Sequence, residues 1–348
     1  MRILLAALVA FGVTAVLGRI FIPVLRRVRA GQSIKEDGPT WHMSKQGTPT
    51  MGGLIFIGGI TAAVFTVGLS DLLSGNWSGA VVLVFSLVFG AIGWMDDYSK
   101  IRKKQNTGLS AQQKFLLQVA ASIAFTVFLR HAGYLTPNLY IPFLNVHLIL
   151  PWPLYMVFAA FVMVSTVNAV NLTDGVDGLA AGVTLPVSAF FTVLAVWGCY
   201  FWNKPEYGAL AVFSAALLGG LAGFLLYNFH PAKVFMGDTG SLFLGGTVCG
   251  LAFALDIPLV ILLVGIIYVA ETLSDIIQVA YFKATHGKRI FRMAPLHHHL
   301  EMGGCHGGFP DLAFVAFAVT EHGIDPVILF IESGGTSGAY RKGKSLAE

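Results

Sequence analysis

The 348-residue chain is 55% hydrophobic and only 11% charged, less than half the charged share of an ordinary soluble domain. With a mean hydropathy of +0.73 and a net charge of only +4, it is not a soluble globular domain, a disordered chain or a nucleic-acid module. An all-α, polytopic integral membrane protein remains, because a chain embedded in hydrocarbon needs no charged surface.

Apolar stretches follow one another near residues 3–25, 50–69, 78–95, 113–130, 152–168, 179–200, 207–227, 240–255 and 258–281. Each is long enough, or nearly so, to cross a bilayer core of about 30 Å, so the sequence predicts one polytopic domain over 1–348 with nine crossings and a tenth beyond them. The first stretch is too long for a signal peptide and lacks a small-residue cleavage site, so it is expected to stay as a membrane helix. Cys199, Cys249 and Cys305 show no paired spacing; they predict neither a zinc ligand set nor a disulfide framework.

Lys and Arg set the orientation, since short cytoplasmic loops are enriched in them. Arg26, Arg27, Arg29, Lys35 and Lys45 follow the first stretch, Lys100, Arg102, Lys103 and Lys104 the third, and Lys283, Lys288, Arg289 and Arg292 the ninth. The alternate loops carry little beyond Arg130 and Lys204. This places the N-terminus outside and loops 26–49, 96–112, 169–178, 228–239 and 282–310 inside. Between Thr136 and Pro153, four prolines flank short β-prone runs, which predicts a small external hairpin.

The scarce acids and amides gather in those inner loops and at the adjoining helix ends. Ionisable groups at mid-bilayer cost about 2.5 to 3.5 kcal/mol each on insertion scales and mark functional sites by default. The adjacent Asp96 and Asp97 of GWMDDYSK repel one another unless a cation or donor is shared. They suit Mg²⁺, which takes oxygen ligands, or else form an acidic helix end in water. Asn168, Asn171, Asp174 and Asp177 recur every three residues among glycines in NAVNLTDGVDGL, and the run lacks the calcium-loop pattern ending in Glu. In YNFHPAKVFMGDTGS, the small-residue turn at Gly237 to Ser241 offers backbone N–H groups to a phosphate or simply caps a helix. Phe235 nearby is a candidate platform for a base or an interfacial aromatic. Glu271, Asp275 and Gln278 form one polar stripe on an otherwise apolar helix, which must face protein or a watery cleft. In APLHHHLE, His297, His298 and His299 cannot all project from one helix face, so phosphate contact or a packed loop suits them better than zinc. Lys45 and Thr50 open the second stretch.

Taken together, KQGTPTMGG, DDYSK, NAVNLTDGVDGLA, VFMGDTGSL and PLHHHLE resemble the polyprenyl-phosphate N-acetylhexosamine-1-phosphate transferases. They come closest to the phospho-MurNAc-pentapeptide transferase branch, the MraY type, and the resemblance spans roughly residues 20–304. It implies an enzyme of the bacterial inner membrane with its active site on the cytoplasmic face. Its substrates would be UDP-MurNAc-pentapeptide and undecaprenyl phosphate, its products lipid I and UMP, and its cofactor Mg²⁺. The sister enzymes that transfer GlcNAc-1-phosphate are the nearer rival and a secondary transporter the distant one; a homodimer stays open as the assembly.

The resemblance also implies roles. Asp238 and Asn171 become the metal-binding residues, Asp238 as a direct Mg²⁺ ligand, and Asp96 and Asp97 sit by the metal and the lipid phosphate, Asp96 accepting its proton or orienting it. Lys45, Thr50, Asn171, Asp174, Asp177, Asn228, Phe235 and Gln278 fall to the substrate pocket, with Phe235 stacking on uracil and Asp177 reading its edge. His297, as a catalytic group, and His298 and His299 would contact phosphates or sugar. Residues 305–348 depart from the family: Glu321, His322, Gly323, Asp325 and Pro326 interrupt the apolar run 311–331 and put the tenth crossing in doubt.

Overall fold

The computed structural model describes residues 1–27, 47–103, 107–141 and 146–303. Lys45, Cys305 and the run 311–331 lie outside the described residues. The chain forms α1 (Arg2–Arg27), α2 (Gly53–Thr66), α3 (Leu69–Leu73), α4 (Ser78–Lys103) and α5 (Ala111–His131), then the strands β1 (Asn138–Ile141) and β2 (Val146–Ile149). It continues with α6 (Trp152–Thr173), α7 (Leu179–Phe201), α8 (Tyr207–Asn228), α9 (Gly237–Ala254), α10 (Ile261–Val264), α11 (Ile266–Ala284) and α12 (Leu296–Glu301). The protein is thus an all-α polytopic membrane protein with one small hairpin, where the proline-flanked β-prone runs predict it; its strands pair antiparallel, Leu139 opposite Leu148.

Among the described residues, α1, α4, α5, α6, α7 and α8 are each long and apolar enough to cross a membrane. The stretch 258–281, expected as one straight span, is broken: the segments Pro258–Val264 and Ile266–Ala284 meet at 81°. The break falls at Gly265, and sharp bends of this kind belong to Pro and Gly positions.

The centre of the bundle is α9, whose residues from Thr239 to Ala254 are all buried. It packs on α4 and α6, and its small residues let the backbones close together, which is how helices associate where lipid supplies no hydrophobic drive. The tightest approach is at Gly93 of α4, where a Cβ would stand 2.0 Å from the carbonyl oxygen of Asp238. Any side chain there would push α4 off the start of α9. One glycine therefore sets the spacing between the two helices that carry Asp96, Asp97 and Asp238.

Candidate active site and metal centre

The site is built where the C-terminal end of α4 meets the N-terminus of α9. Asp97 fills the role that a cap residue usually plays. Its Oδ1 accepts from the backbone N–H of Asp238 at 3.2 Å, and its Oδ2 accepts from the N–H and hydroxyl of Thr239 at 2.9 and 2.7 Å. A carboxylate on the positive end of a helix is favourable. Two of the N–H groups expected to cradle a phosphate are therefore taken by Asp97. The turn into α9 depends on Gly237, whose φ of +70° suits glycine and whose missing Cβ would stand 2.6 Å from both Asp97 Oδ2 and Thr50 Oγ1. Thr50 is thus at the rim of the acid cluster.

Asp96, one residue earlier, points another way. Its Oδ1 accepts from the Leu109 N–H at 2.7 Å and its Oδ2 meets the Lys100 ammonium at 2.6 Å, one helical turn on. Lys100 also reaches Asp238 Oδ2 at 3.1 Å. Lys114 meets the same oxygen at 2.9 Å, while Asn171 Nδ2 donates to Asp238 Oδ1 at 2.9 Å and to Ser241 Oγ at 2.7 Å. Lys114 is delivered by a capping box. Ser110 Oγ accepts from the Gln113 N–H, and the Gln113 side chain accepts from the Ser110 N–H, which fixes the first turn of α5. Neither lysine was singled out for the site by the sequence. Lys100 looked like a flanking basic residue, and its only site signal is the i,i+4 spacing from Asp96.

Oxygens of Asp96, Asp97 and Asp238 all lie within 4.8 Å of one another. Three carboxylates so close need positive charge, and the two ammonium groups provide part of it. The donors are all oxygens, the chemistry of a hard divalent cation, so the triad could hold a metal. Asp97 is committed to the helix start, while Asp96 and Asp238 share the Lys100 ammonium, whose place between them a cation could take. Asn171 turns its amide nitrogen toward Asp238, as a residue that positions this acid.

Asp174 stands at the C-terminal end of α6. Burial, and then the charges of Asp238, Asp97 and Asp177, raise its carboxyl well above the usual carboxylate range. Asp177 is fastened further along the loop, accepting from His230 Nδ1 and the Ala232 N–H, each at 3.0 Å. Asn228 accepts from the Gly178 N–H at 3.1 Å and donates to the Val234 carbonyl at 2.9 Å, which ties the 174–178 loop to the segment that ends in Phe235. Phe235 is half-buried, its backbone paired with Pro49 and Gly52.

The three histidines diverge, as consecutive residues on a short helix must. His297 is buried and meets Glu271 Oε2 through Nδ1 at 2.9 Å, His298 meets Glu301 at 2.9 Å, and His299 Nδ1 accepts from the Arg292 N–H at 3.1 Å. Gln278 spends its amide on the loop backbone, accepting from the Ile290 and Phe291 N–H groups and donating to the Phe291 carbonyl, each at 3.0 Å. Gln278, expected in the substrate pocket, ties the 290–291 backbone to α11, and His299, expected there too, ties Arg292 to α12.

Residues 79–256 match glycosyl transferase family 4, so fold and site define a membrane-embedded transferase of that class. Residues 45–57 match the phospho-N-acetylmuramoyl-pentapeptide-transferase signature 1. The phospho-N-acetylmuramoyl-pentapeptide-transferase of Clostridium acetobutylicum is 47% identical over 306 residues, 87% of this chain and 92% of that protein. Those of Thermoanaerobacter sp. (strain X514) and Listeria monocytogenes serotype 4b are 48% and 46% identical over 305 and 298 residues, covering 87% and 85% of this chain and 91% and 88% of theirs. The chain belongs to the phospho-N-acetylmuramoyl-pentapeptide-transferase family and is an enzyme of that type.

Proposed function

We propose that this enzyme transfers phospho-MurNAc-pentapeptide from its UDP carrier to undecaprenyl phosphate, forming lipid I and UMP for peptidoglycan synthesis. The observation that carries the reading is the convergence of Asp96, Asp97 and Asp238 from two helices into one oxygen cluster beside Lys100 and Lys114. Phosphoryl transfer asks for positioning and charge neutralisation rather than covalent help. A lipid phosphate oxygen forms the new bond to the sugar-bearing phosphorus, the bond from that phosphorus to the bridging oxygen breaks, and UMP departs with that oxygen.

Asp96 and Asp238 would hold Mg²⁺, which supplies neutralisation of charge on the phosphate oxygens when bound. Asp96 also orients the lipid phosphate or takes its proton. Direct attack is preferred to an aspartyl-phosphate intermediate, because the oxygens of Asp96 and Asp97 are engaged as acceptors from Leu109, Lys100 and the start of α9. Lys114 holds Asp238 in place and balances its charge. Phe235 offers a stacking face to uracil, Asp177 and Asn228 shape the nucleotide pocket, Thr50 approaches from the start of α2, and the family resemblance assigns Lys45 to the same pocket.

If α2 and α9 also cross, beside the six long helices and the bent pair, the count would be the nine of the sequence reading. The Lys and Arg distribution then sets the N-terminus outside and the acid cluster on the cytoplasmic side of a bacterial inner membrane. A soluble nucleotide and a lipid phosphate meet at such a boundary. The test is UMP release by the purified enzyme given undecaprenyl phosphate and either UDP-MurNAc-pentapeptide or UDP-GlcNAc, with Mg²⁺ or with a chelator. The expected result is UMP from the first sugar nucleotide only, abolished by chelation. Release with UDP-GlcNAc, or release that survives chelation, overturns the substrate or the metal respectively.

A further inference from the structure

The polar stripe on α11 has two working ends that differ in one respect. Gln278 uses its amide oxygen and nitrogen on the loop backbone and is a finished tether. Glu271, fully buried, is only half used. Its Oε2 accepts from both the backbone N–H and the Nδ1 of His297, at 3.2 and 2.9 Å. Its Oε1, and the Nε2 of the buried His297, make no hydrogen bond among the described residues. Buried polar atoms are nearly always paired, and those that are not call for a specific reason. A pair serving only to pin α12 would have no cause to keep an imidazole nitrogen vacant.

The vacant nitrogen has a direction. A Cβ on Gly175 would stand 2.2 Å from His297 Nε2, so the ring faces the backbone of the 174–178 loop, next to Asp174 and through it the acid cluster. We infer that Glu271 is a positioning residue for the transfer reaction: it holds the proton on His297 Nδ1 and so reserves Nε2 for an oxygen of the sugar nucleotide at the Gly175 loop. A ring nitrogen's role is set by the bond that the other nitrogen makes, and here the carboxylate makes that bond. Removing groups that orient a functional histidine in this way typically costs about 10- to 100-fold. The inference rests on the proposed transfer reaction for the identity of the ligand, while the tautomer stands on the Glu271–His297 geometry alone.

The full-length enzyme in detergent, as parent, Glu271→Met, His297→Ala and the double variant, tests this by UMP release. The expected result is a fall in kcat of about 10- to 100-fold for Glu271→Met, with no further fall when the same change is made in the His297→Ala background. Losses that multiply in the double variant would overturn the inference, because Glu271 would then act by a route other than His297. Gly175→Ala is the independent variant, crowding Nε2 without touching the carboxylate, and is expected to lower kcat only while His297 is present. An equal loss without His297 counts against the inference. Nitrogen-15 NMR of labelled histidine, with His297 assigned by its loss in His297→Gln, reads the tautomer without turnover. Nδ1-protonated His297 in the parent, changed in Glu271→Met, which has no acceptor to offer, is expected; an unchanged ring signature overturns the role of Glu271. If the parent released no UMP from either sugar nucleotide, the proposed reaction would fall, and the NMR result would still decide whether Glu271 sets the ring.

Discussion

The two ends of α9 each carry a partly buried acid, and they treat it in opposite ways. At the N-terminus, Asp238 shares its oxygens with Lys100, Lys114 and Asn171 within reach of Asp96 and Asp97. About 27 Å away along the 18-residue helix at 1.5 Å per residue, Asp256 accepts from the hydroxyl and N–H of a single residue, Thr136, at 2.6 and 3.3 Å. Burial pushes its carboxyl up to about 7, with Thr136 and Lys204 acting the other way. That contact fastens the start of the hairpin to the corner after α9. A buried carboxylate is therefore not by itself a site. Ionisable groups brought together from several elements, so that no one of them is balanced alone, are what distinguish the first end from the second.

The sharpest way to break this contrast is Asp238→Asn, which removes one charge while keeping the shape. UMP release should fall on the order of 10³-fold, as for loss of a group that organises transition-state charge, with the protein still assembled by size-exclusion chromatography. Near-normal turnover would reduce the N-terminal cluster to the same structural status as Asp256. Lys114→Met tests the partner that only the fold reveals, and a fall of about 10²-fold is expected. An unchanged rate would leave Lys114 as a surface counter-charge. Asp256→Asn should have the smallest effect on turnover and a pH-dependent one on stability. The raised carboxyl makes the folded state bind the proton more tightly than the unfolded one, so the parent loses stability as pH rises from about 4 to about 7. The advantage of the Asn variant in thermal midpoint should widen over that range and level off above it. A gap that does not change with pH would mean that Asp256 is already ionised when folded.

Much of this arrangement is legible along the chain. The spans are written as runs of apolar residues, the hairpin as prolines around β-prone segments, and the candidate acids as rare charges in a chain with few. Asp96, Asp97 and Asp238 can be singled out in this way because lipid makes any other acid costly. The bend at Gly265 was not legible, since 258–281 reads as one apolar run and the break depends on how α10 and α11 pack. Lys100 and Lys114 were not legible either. A lysine at a membrane boundary is the commonest of residues, and nothing local separates a topological lysine from one that meets a carboxylate more than a hundred positions away.

By itself, then, the sequence determined that the protein lives in a bilayer, where its helices run and which few residues carry charge there, because hydrocarbon imposes these rules residue by residue. Only the tertiary structure decided which of those charges meet. It spent Asp97 on the start of α9, set Lys100 between Asp96 and Asp238, and turned Gln278 and His299 into ties for a loop. It also aimed His297 at Gly175 from a glutamate on another helix. Those outcomes depend on the distance between backbones, set at positions such as Gly93 and Gly237, and a distance between separate helices is not a property of either helix's sequence.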